Sequence, residues 1–447
     1  MARINVPVRS TPITTHEGAK AARINAVEQL RRSVLACFLW EDSFYEDGQS
    51  IADRITSEVK EVLKLKDGAD IVANLAVEAR SKFKLRHAPL HLINALVAAN
   101  TDEARAVVSG ALYHAIQRPD EINEFLASYW SNGKRPIPNQ VKKGLAAAFT
   151  KFDEYSLGRY ANRDAQVKLR DALFLVHAKP QNSQQEELFR KLAENELKAP
   201  QNTWEVQLSA GKDKKEVFTN LLAENDIGAL ALLRNLRNAT QAGVDSSVIR
   251  SAISNMRTER VLPFRFITAA RYAPQFEPEL ENAMFKCLDG TEKLKGKTTL
   301  VVDHSGSMNC ALSAKSEMTR FEAAAALAML LREVCEEVEI IAYSGKAKVV
   351  RPRRGFALRD ELNNATEWGG TNTQTALAEA ARRPYDRIIV ITDEQSHQTI
   401  STPAHGAKGY FVNVATYRNG IGYGAWTHLD GFSEAIISYI QAIENQD

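Results

Sequence analysis

The 447-residue chain is predicted to carry two architectures in series: an array of α-helices over about 19–288, and an α/β domain with a mainly parallel sheet over 298–447. Three observations predict this. From Ala19 to Leu288 apolar residues recur at helical spacing almost throughout, in segments of roughly 10–15 residues joined by short polar loops. The polar segment DGTEKLKGK, 289–297, then interrupts the pattern as a linker. Beyond it, short β-branched runs alternate with helical segments, as in a sheet covered by helices.

Taken in order, Met1–Gly18 has Pro7 and Pro12 and no periodicity, and reads as an extended arm. Helical segments follow over Ile71–Ala99 (with a boundary at Pro89), Asp102–Gln117, Glu121–Trp130, Asn139–Phe149, Ala165–His177 and Gln184–Leu197. Further ones span Lys215–Glu224, Ile227–Thr240, Ser246–Asn255 and Pro278–Leu288. Such segments stack as helical hairpins. No strict period is visible, and an irregular bundle fits the same pattern. In the last third, strands are expected at Thr298–Val302, Glu339–Tyr343, Arg387–Thr392 and Phe411–Ala415. A long helix is expected over Thr319–Val338, with Phe321, Ala325, Ala328, Leu331 and Cys335 on one buried face, and a closing helix over Gly431–Ile443.

Composition excludes several classes. No apolar run resembles a signal peptide, and the longest, Ala323–Leu331, is nine residues, too short to cross a bilayer. The four cysteines show neither metal-ligand nor disulfide spacing. A cytoplasmic protein is the expectation, with no membrane contact. There is no phosphate loop, nucleophile elbow or paired-carboxylate arrangement, so no enzyme activity is expected. His87 and His91 stand four apart, but Pro89 lies between them and no third ligand follows. The net charge of +2 hides an asymmetry: 298–447 holds 14 Lys/Arg against 18 Asp/Glu, a net of −4, leaving +6 for the rest. That excess is concentrated in 134–179, where ten Lys/Arg stand against four Asp/Glu, interleaved with Phe149, Phe152, Tyr155 and Tyr160. Cations that meet phosphates and aromatic faces that stack on bases would both be served there. A helical pair with core aromatics and a solvated basic face fits the same residues.

The stretch TTLVVDHSGSMN, 298–309, ends a buried strand on Asp303 and then offers Ser305 and Ser307. Alone, D-x-S-x-S also fits an ordinary strand-to-helix turn. EWGGTNTQTAL adds Thr371, and RIIVITDEQ delivers Asp393 at the end of another strand. All these donors are oxygens, which suits Mg2+, Mn2+ or Ca2+ rather than zinc. In order and strand context the three loops resemble the metal-ion-dependent adhesion site of von Willebrand factor A domains, whose residues carry over as Asp303, Ser305, Ser307, Thr371 and Asp393.

A second resemblance covers most of the chain. IPNQVKKGL, RYANR, VHAKP, TWEVQLS, ALLRNLRN and PFRFITA occur in order between Ile137 and Ala269. They resemble the TROVE module of the Ro autoantigen family, helical RNA-binding proteins that end in a von Willebrand A domain. The resemblance implies a ring of HEAT-like helical hairpins closed by the metal-site domain. It also implies a noncatalytic ribonucleoprotein component, a monomer that binds 3′ ends of misfolded noncoding RNA and Y-like RNA in RNA quality control, with an exoribonuclease as a possible partner. It places Lys142 and Lys143 on the family's basic helix, and Arg159, Tyr160 and Arg163 on its K/R-Y-x-x-R pattern. Where relatives often carry S-H-K-D, this chain has Lys168, Leu169, Arg170 and Asp171. A histidine is thus missing, and Lys168 and Arg170 are the candidates to replace it. The rival function is a protein-interaction module whose bound cation captures a partner's carboxylate.

Overall fold

The structure is a computed structural model, and it describes residues 25–35, 51–198, 204–209, 211–258, 261, 264–312, 318–415, 420–422, 424–431 and 435–444. The arm expected over Met1–Gly18 lies outside them.

Among the described residues, sixteen α-helices, from Ala26–Leu35 to Glu277–Lys286, precede the first strand. Each packs mainly on the next and the next but one, which is the stacking of helical hairpins expected from the sequence. The hairpins are sealed by local chemistry. Thr101, Asp153, Asn182, Asp213 and Asp245 accept hydrogen bonds from the first-turn amides of the helices they precede. Asn100 and His177 end their helices in the left-handed conformation.

Six strands form one sheet in the order β3-β2-β1-β4-β5-β6: β1 Leu294–Asp303, β2 Cys335–Tyr343, β3 Ala347–Val350, β4 Arg387–Thr392, β5 Lys408–Asn413 and β6 Trp426–Asp430. Only β3 runs antiparallel to its neighbour. β1 lies between β2 and β4, and its run Thr298–Asp303 is buried on both faces, as β-branched parallel strands are. Strand order therefore reverses at β1, and the loops leaving β1 and β4 meet at one end of the sheet.

Three expectations are corrected. Leu294 pairs with Cys335, so β1 begins inside the segment read as linker. The helix starting after Thr319 stops at Val334, and Cys335–Val338, read as helix, belongs to β2. Ladder bonds to β1 outweigh the helical preference of Glu336 and Glu337. That helix, Arg320–Val334, is also buried on nearly all sides rather than along one face. It lies between the sheet and the helices Phe264–Tyr272 and Gly355–Asn363. A capping box fixes its start: Thr319 Oγ1 accepts from the Glu322 amide, and Glu322 Oε2 accepts from the Thr319 amide at 2.7 Å.

The core has a consequence for domain organisation. One apolar cluster runs from Leu30 to Leu197 within the helices. A second begins at Val217, passes through Leu280 and Met284, and continues to Leu300, Leu331 and Ile440 in the α/β domain. Among the described residues the hydrophobic break therefore falls between Leu197 and Val217, not at 289–297. The circuit is closed at the far end, where the helix Ala26–Leu35 packs against β6. Leu280→Ala should cost about 2–5 kcal/mol. Thermal melts followed by circular dichroism and by Trp fluorescence should fall together, because the helices 217–286 and the sheet share this core. A variant whose fluorescence transition stays in place would contradict that.

Candidate cation centre and nucleic-acid face

Asp303 ends β1, and burial removes all its contact with solvent. Its Oδ1 accepts the Ser305 amide at 2.8 Å. Its Oδ2 accepts the Tyr343 hydroxyl at 3.0 Å and the Thr392 hydroxyl at 2.6 Å. These donors are all neutral. Ser305 Oγ and Ser307 Oγ lie 3.3 Å apart on the turn that follows. The second loop is stitched to the first, since the Gly306 amide donates to the Gly369 carbonyl at 2.8 Å. Thr371, two residues further on, is buried and receives the His397 amide on its carbonyl at 3.4 Å. Asp393 opens the third loop, directly after β4, also without solvent contact. Its Oδ1 accepts the Gln395 amide at 3.2 Å, and Arg320 Nη1 lies 3.4 Å from its Oδ2. The structure thus places all five sequence-expected residues on three loops at one end of the sheet.

Burial, and then the charge of Asp393, push Asp303 up to about 7, against the hydrogen bonds from Thr392 and Ser305. Burial raises Asp393 as well, and Arg320, Ser307 and Gln395 offset only part of it. Among the described residues no group of three or more His, Cys, Asp or Glu is arranged to hold a metal. What this site offers instead is two carboxylates and the hydroxyls of Ser305 and Ser307, with Thr371 buried in the adjoining loop, oxygen donors of the kind that suit a hard cation. The next residue, Glu394, behaves oppositely. Burial would raise it, but the charges and hydrogen bonds of Arg32 and His428 hold it at about 2.

The basic stretch divides into groups. Lys142 and Lys143 project from the helix Asn139–Phe149, whose Leu145 and Phe149 are buried. They line a groove of about 420 Å3 together with His177, Lys179 and Gln181. The segment that brings those residues there leaves the helix Leu169–Val176, whose Leu169 and Leu173 are buried and whose Phe174 is 55% exposed. His177, Lys179 and Phe174 were not singled out from the sequence as binding residues. The left-handed backbone at His177 turns the chain towards Lys142, and only the VHAKP motif marked the place. Lys168 and Arg170 are exposed at the start of the same helix, and Arg163 is exposed in the loop before it. Arg159 is half-buried. Tyr160 is a correction. It is 9% exposed and its ring already has the guanidinium carbons of Arg163 and Arg118 at 4.6 and 5.2 Å, so it packs rather than offering a stacking face. Lys151 is likewise engaged, donating to the carbonyls of Tyr113 and Ile116 at the end of the helix Asp102–Ala115.

Two family models match parts of the chain. The TROVE domain family model matches residues 191–321, and the Ro60 vWA domain model matches residues 297–416. The chain thus carries a TROVE domain followed by a Ro60 vWA domain. The Ro60 vWA match spans all five residues of the candidate cation centre. The TROVE match begins after the basic stretch 134–179, so the assignment of that face rests on its geometry. A crystal structure of the Deinococcus radiodurans RO (RSR) protein is similar over 93% of this chain and 99% of its own, with 18% identity and a TM-score of 0.64, which establishes the shared Ro fold. A Bacteroides fragilis aerotolerance-related membrane protein overlaps 27% of this chain and 67% of its own, at 22% identity and a TM-score of 0.22, and nothing is drawn from it. Comparison with curated proteins gave no match. Among the described residues no helix is long and apolar enough to cross a membrane.

The electrostatics of Asp303 give a signed prediction. Its folded-state pKa lies above its ordinary 3.8. In metal-free protein its penalty is therefore absent below about pH 4 and grows as pH rises towards 7, by at most roughly 1.4 kcal/mol per unit. Asp303→Asn should flatten the fall in stability between about pH 4 and 7 measured by denaturant unfolding in EDTA. The slope is the readout, because the lost hydrogen bonds shift both ends equally. Identical slopes in the two proteins would contradict the buried-charge account.

Proposed function

We propose that this chain is a noncatalytic RNA-binding protein that takes noncoding RNA with single-stranded 3′ ends onto the face carrying Lys142, Lys143 and Lys179, and acts in RNA quality control. The observation that carries the reading is the groove itself. Lys142, Lys143, Lys179 and His177 converge on it, and Phe174, on the helix that leads into His177, is exposed to solvent. Exposed cations on a rigid helical support suit phosphates, and an exposed aromatic suits an unstacked base. Arg163, Lys168 and Arg170 extend the positive face. Y-like RNA is a second candidate ligand for the same charge, and an exoribonuclease a candidate partner.

In the same proposal a hard divalent cation, Mg2+ or Mn2+ foremost and Ca2+ next, is held by Asp303, Ser305, Ser307, Thr371 and Asp393. Two buried carboxylates, with only neutral donors on Asp303, fit such an ion. When bound it supplies positive charge and an open coordination position for an anionic group. A second reading, capture of a protein partner's carboxylate there, is favoured by Trp368. This ring is 41% exposed next to the Gly369–Thr371 loop, and it packs on His304 at 3.8 Å between centroids.

Two measurements test these assignments. Lys142→Ala, Lys143→Ala and Lys179→Ala should each cost less than about 0.5 kcal/mol of stability. Each should weaken binding of a tailed, structured RNA and reduce the salt slope by about one counterion's worth. Tyr160→Ala should instead destabilise the fold, by about 3 kcal/mol or more. Unchanged affinity in all three lysine variants would remove this face from the binding surface. For the cation, free metal at 100-fold over Kd should stabilise the wild type by about 2.7 kcal/mol. Asp303→Ala should abolish that response, and an equal response in both proteins would place the ion elsewhere.

A further inference from the structure

The residue after Asp393 ties the candidate cation centre to the opposite end of the chain. Glu394 has no solvent contact and a backbone φ of 59°, the left-handed region that a non-glycine residue adopts only at a cost. Its carboxylate is held from two sides. Arg32 Nη1, from the helix Ala26–Leu35, donates to Oε2 at 3.0 Å across 362 residues of sequence. His428 Nδ1, from β6, lies 3.0 Å from Oε1. Gly420 closes over the pair, since a Cβ there would come within 1.8 Å of Glu394 Oε2 and 3.0 Å of Arg32 Nη2.

The backbone of Glu394 faces the other way. Its amide donates to Thr392 Oγ1 at 3.0 Å, and Thr392 Oγ1 donates to Asp303 Oδ2 at 2.6 Å. The strained residue thus stands between an anchor from the amino-terminal helix and the two residues before it, Thr392, which orients Asp303, and Asp393 itself. Without the anchor, Glu394 would relax from the left-handed region and turn Asp393 and the Thr392 hydroxyl with it.

We propose that Arg32 is a positioning residue for the cation centre, acting through Glu394, so that cation binding and docking of the helix Ala26–Leu35 on the sheet edge strengthen each other. The inference rests on the cation reading given above. Such linkage is reciprocal: whatever docking adds to cation affinity, the cation adds to docking. Arg31 on the same helix provides a contrast. It pairs with Glu78 of the helix Gly68–Ser81, at 2.6 and 2.9 Å, and holds the helix to the helical array without touching Glu394.

The test uses the full chain with Mn2+ as probe, its binding followed by electron paramagnetic resonance and helix docking by hydrogen exchange of peptides covering residues 26–35. Removing a partner that orients ligands typically costs 10–100-fold in metal affinity. Arg32→Ala should therefore bind Mn2+ at least about tenfold more weakly, Arg32→Lys should recover part of the loss, and Arg31→Ala should stay within about twofold of wild type. In unmutated protein, Mn2+ should slow exchange in 26–35, and Asp303→Ala should remove that effect. This arm needs no change at Arg32, so it stands even if Arg32→Ala fails to fold. Mn2+ binding by wild type with no change of exchange in 26–35 overturns the coupling and leaves the cation site standing. Equal loss in Arg31→Ala and Arg32→Ala also overturns it, as general loosening of the helix. Failure of wild type to bind Mn2+ at all overturns the cation reading and the coupling with it.

Discussion

Burial of three carboxylates at one end of the sheet is the constraint on which the rest of the structure turns. Asp303, Asp393 and Glu394 have no solvent contact, and each is compensated differently. Glu394 has Arg32 and His428 and is firmly ionised. Asp393 has Arg320 at 3.4 Å, a long contact for an ion pair. Asp303 has only hydroxyl and amide donors. Unpaired buried charge either takes up a proton or draws in a counterion. An oxygen-lined site with charge left over is the physical basis for placing a cation there, and it arises because β1 ends in the middle of the sheet. Its flanking loops have nowhere to turn except over one another.

The same compensation links the two halves of the chain. Arg32 comes from the first described helix, so the helical array is closed onto the sheet by an ion pair away from water rather than by surface contact alone. At the other junction the join is apolar. Leu280 and Met284 belong to one cluster with Leu331 and Ile440, and Glu281 accepts the Phe356 amide at 2.7 Å beneath Gly355. The α/β domain is therefore held at both of its contacts with the helices. The basic face at Lys142 and Lys179 belongs to the other apolar cluster, 30–197, apart from the candidate cation centre.

Much of this was legible in the sequence because it depends on local pattern. The helical array, the buried strands and the positions of Asp303, Ser305, Ser307, Thr371 and Asp393 follow from apolar spacing and from oxygen-bearing residues at strand ends. What the sequence hid depends on distant partners. The strand at Cys335–Val338 has helix-forming glutamates and exists because β1 pairs with it. Tyr160 sits in a basic run, yet Arg118, 42 residues away, claims its ring. His177 and Lys179 reach Lys142 only through a left-handed turn. Glu394 follows a recognisable strand end, but nothing local announces Arg32 as its partner.

The central claim is that RNA is met by the helical face and the cation by the sheet, at separate places in one closed chain. Ultraviolet crosslinking of a 3′-tailed RNA to the intact protein, followed by peptide mapping, tests it most directly. The account predicts crosslinks concentrated in peptides spanning residues 139–181, with Phe174 and His177 among the modified residues, and the same pattern in the presence of EDTA. Crosslinks confined to residues 294–444, or a pattern that disappears when the cation is removed, would contradict it.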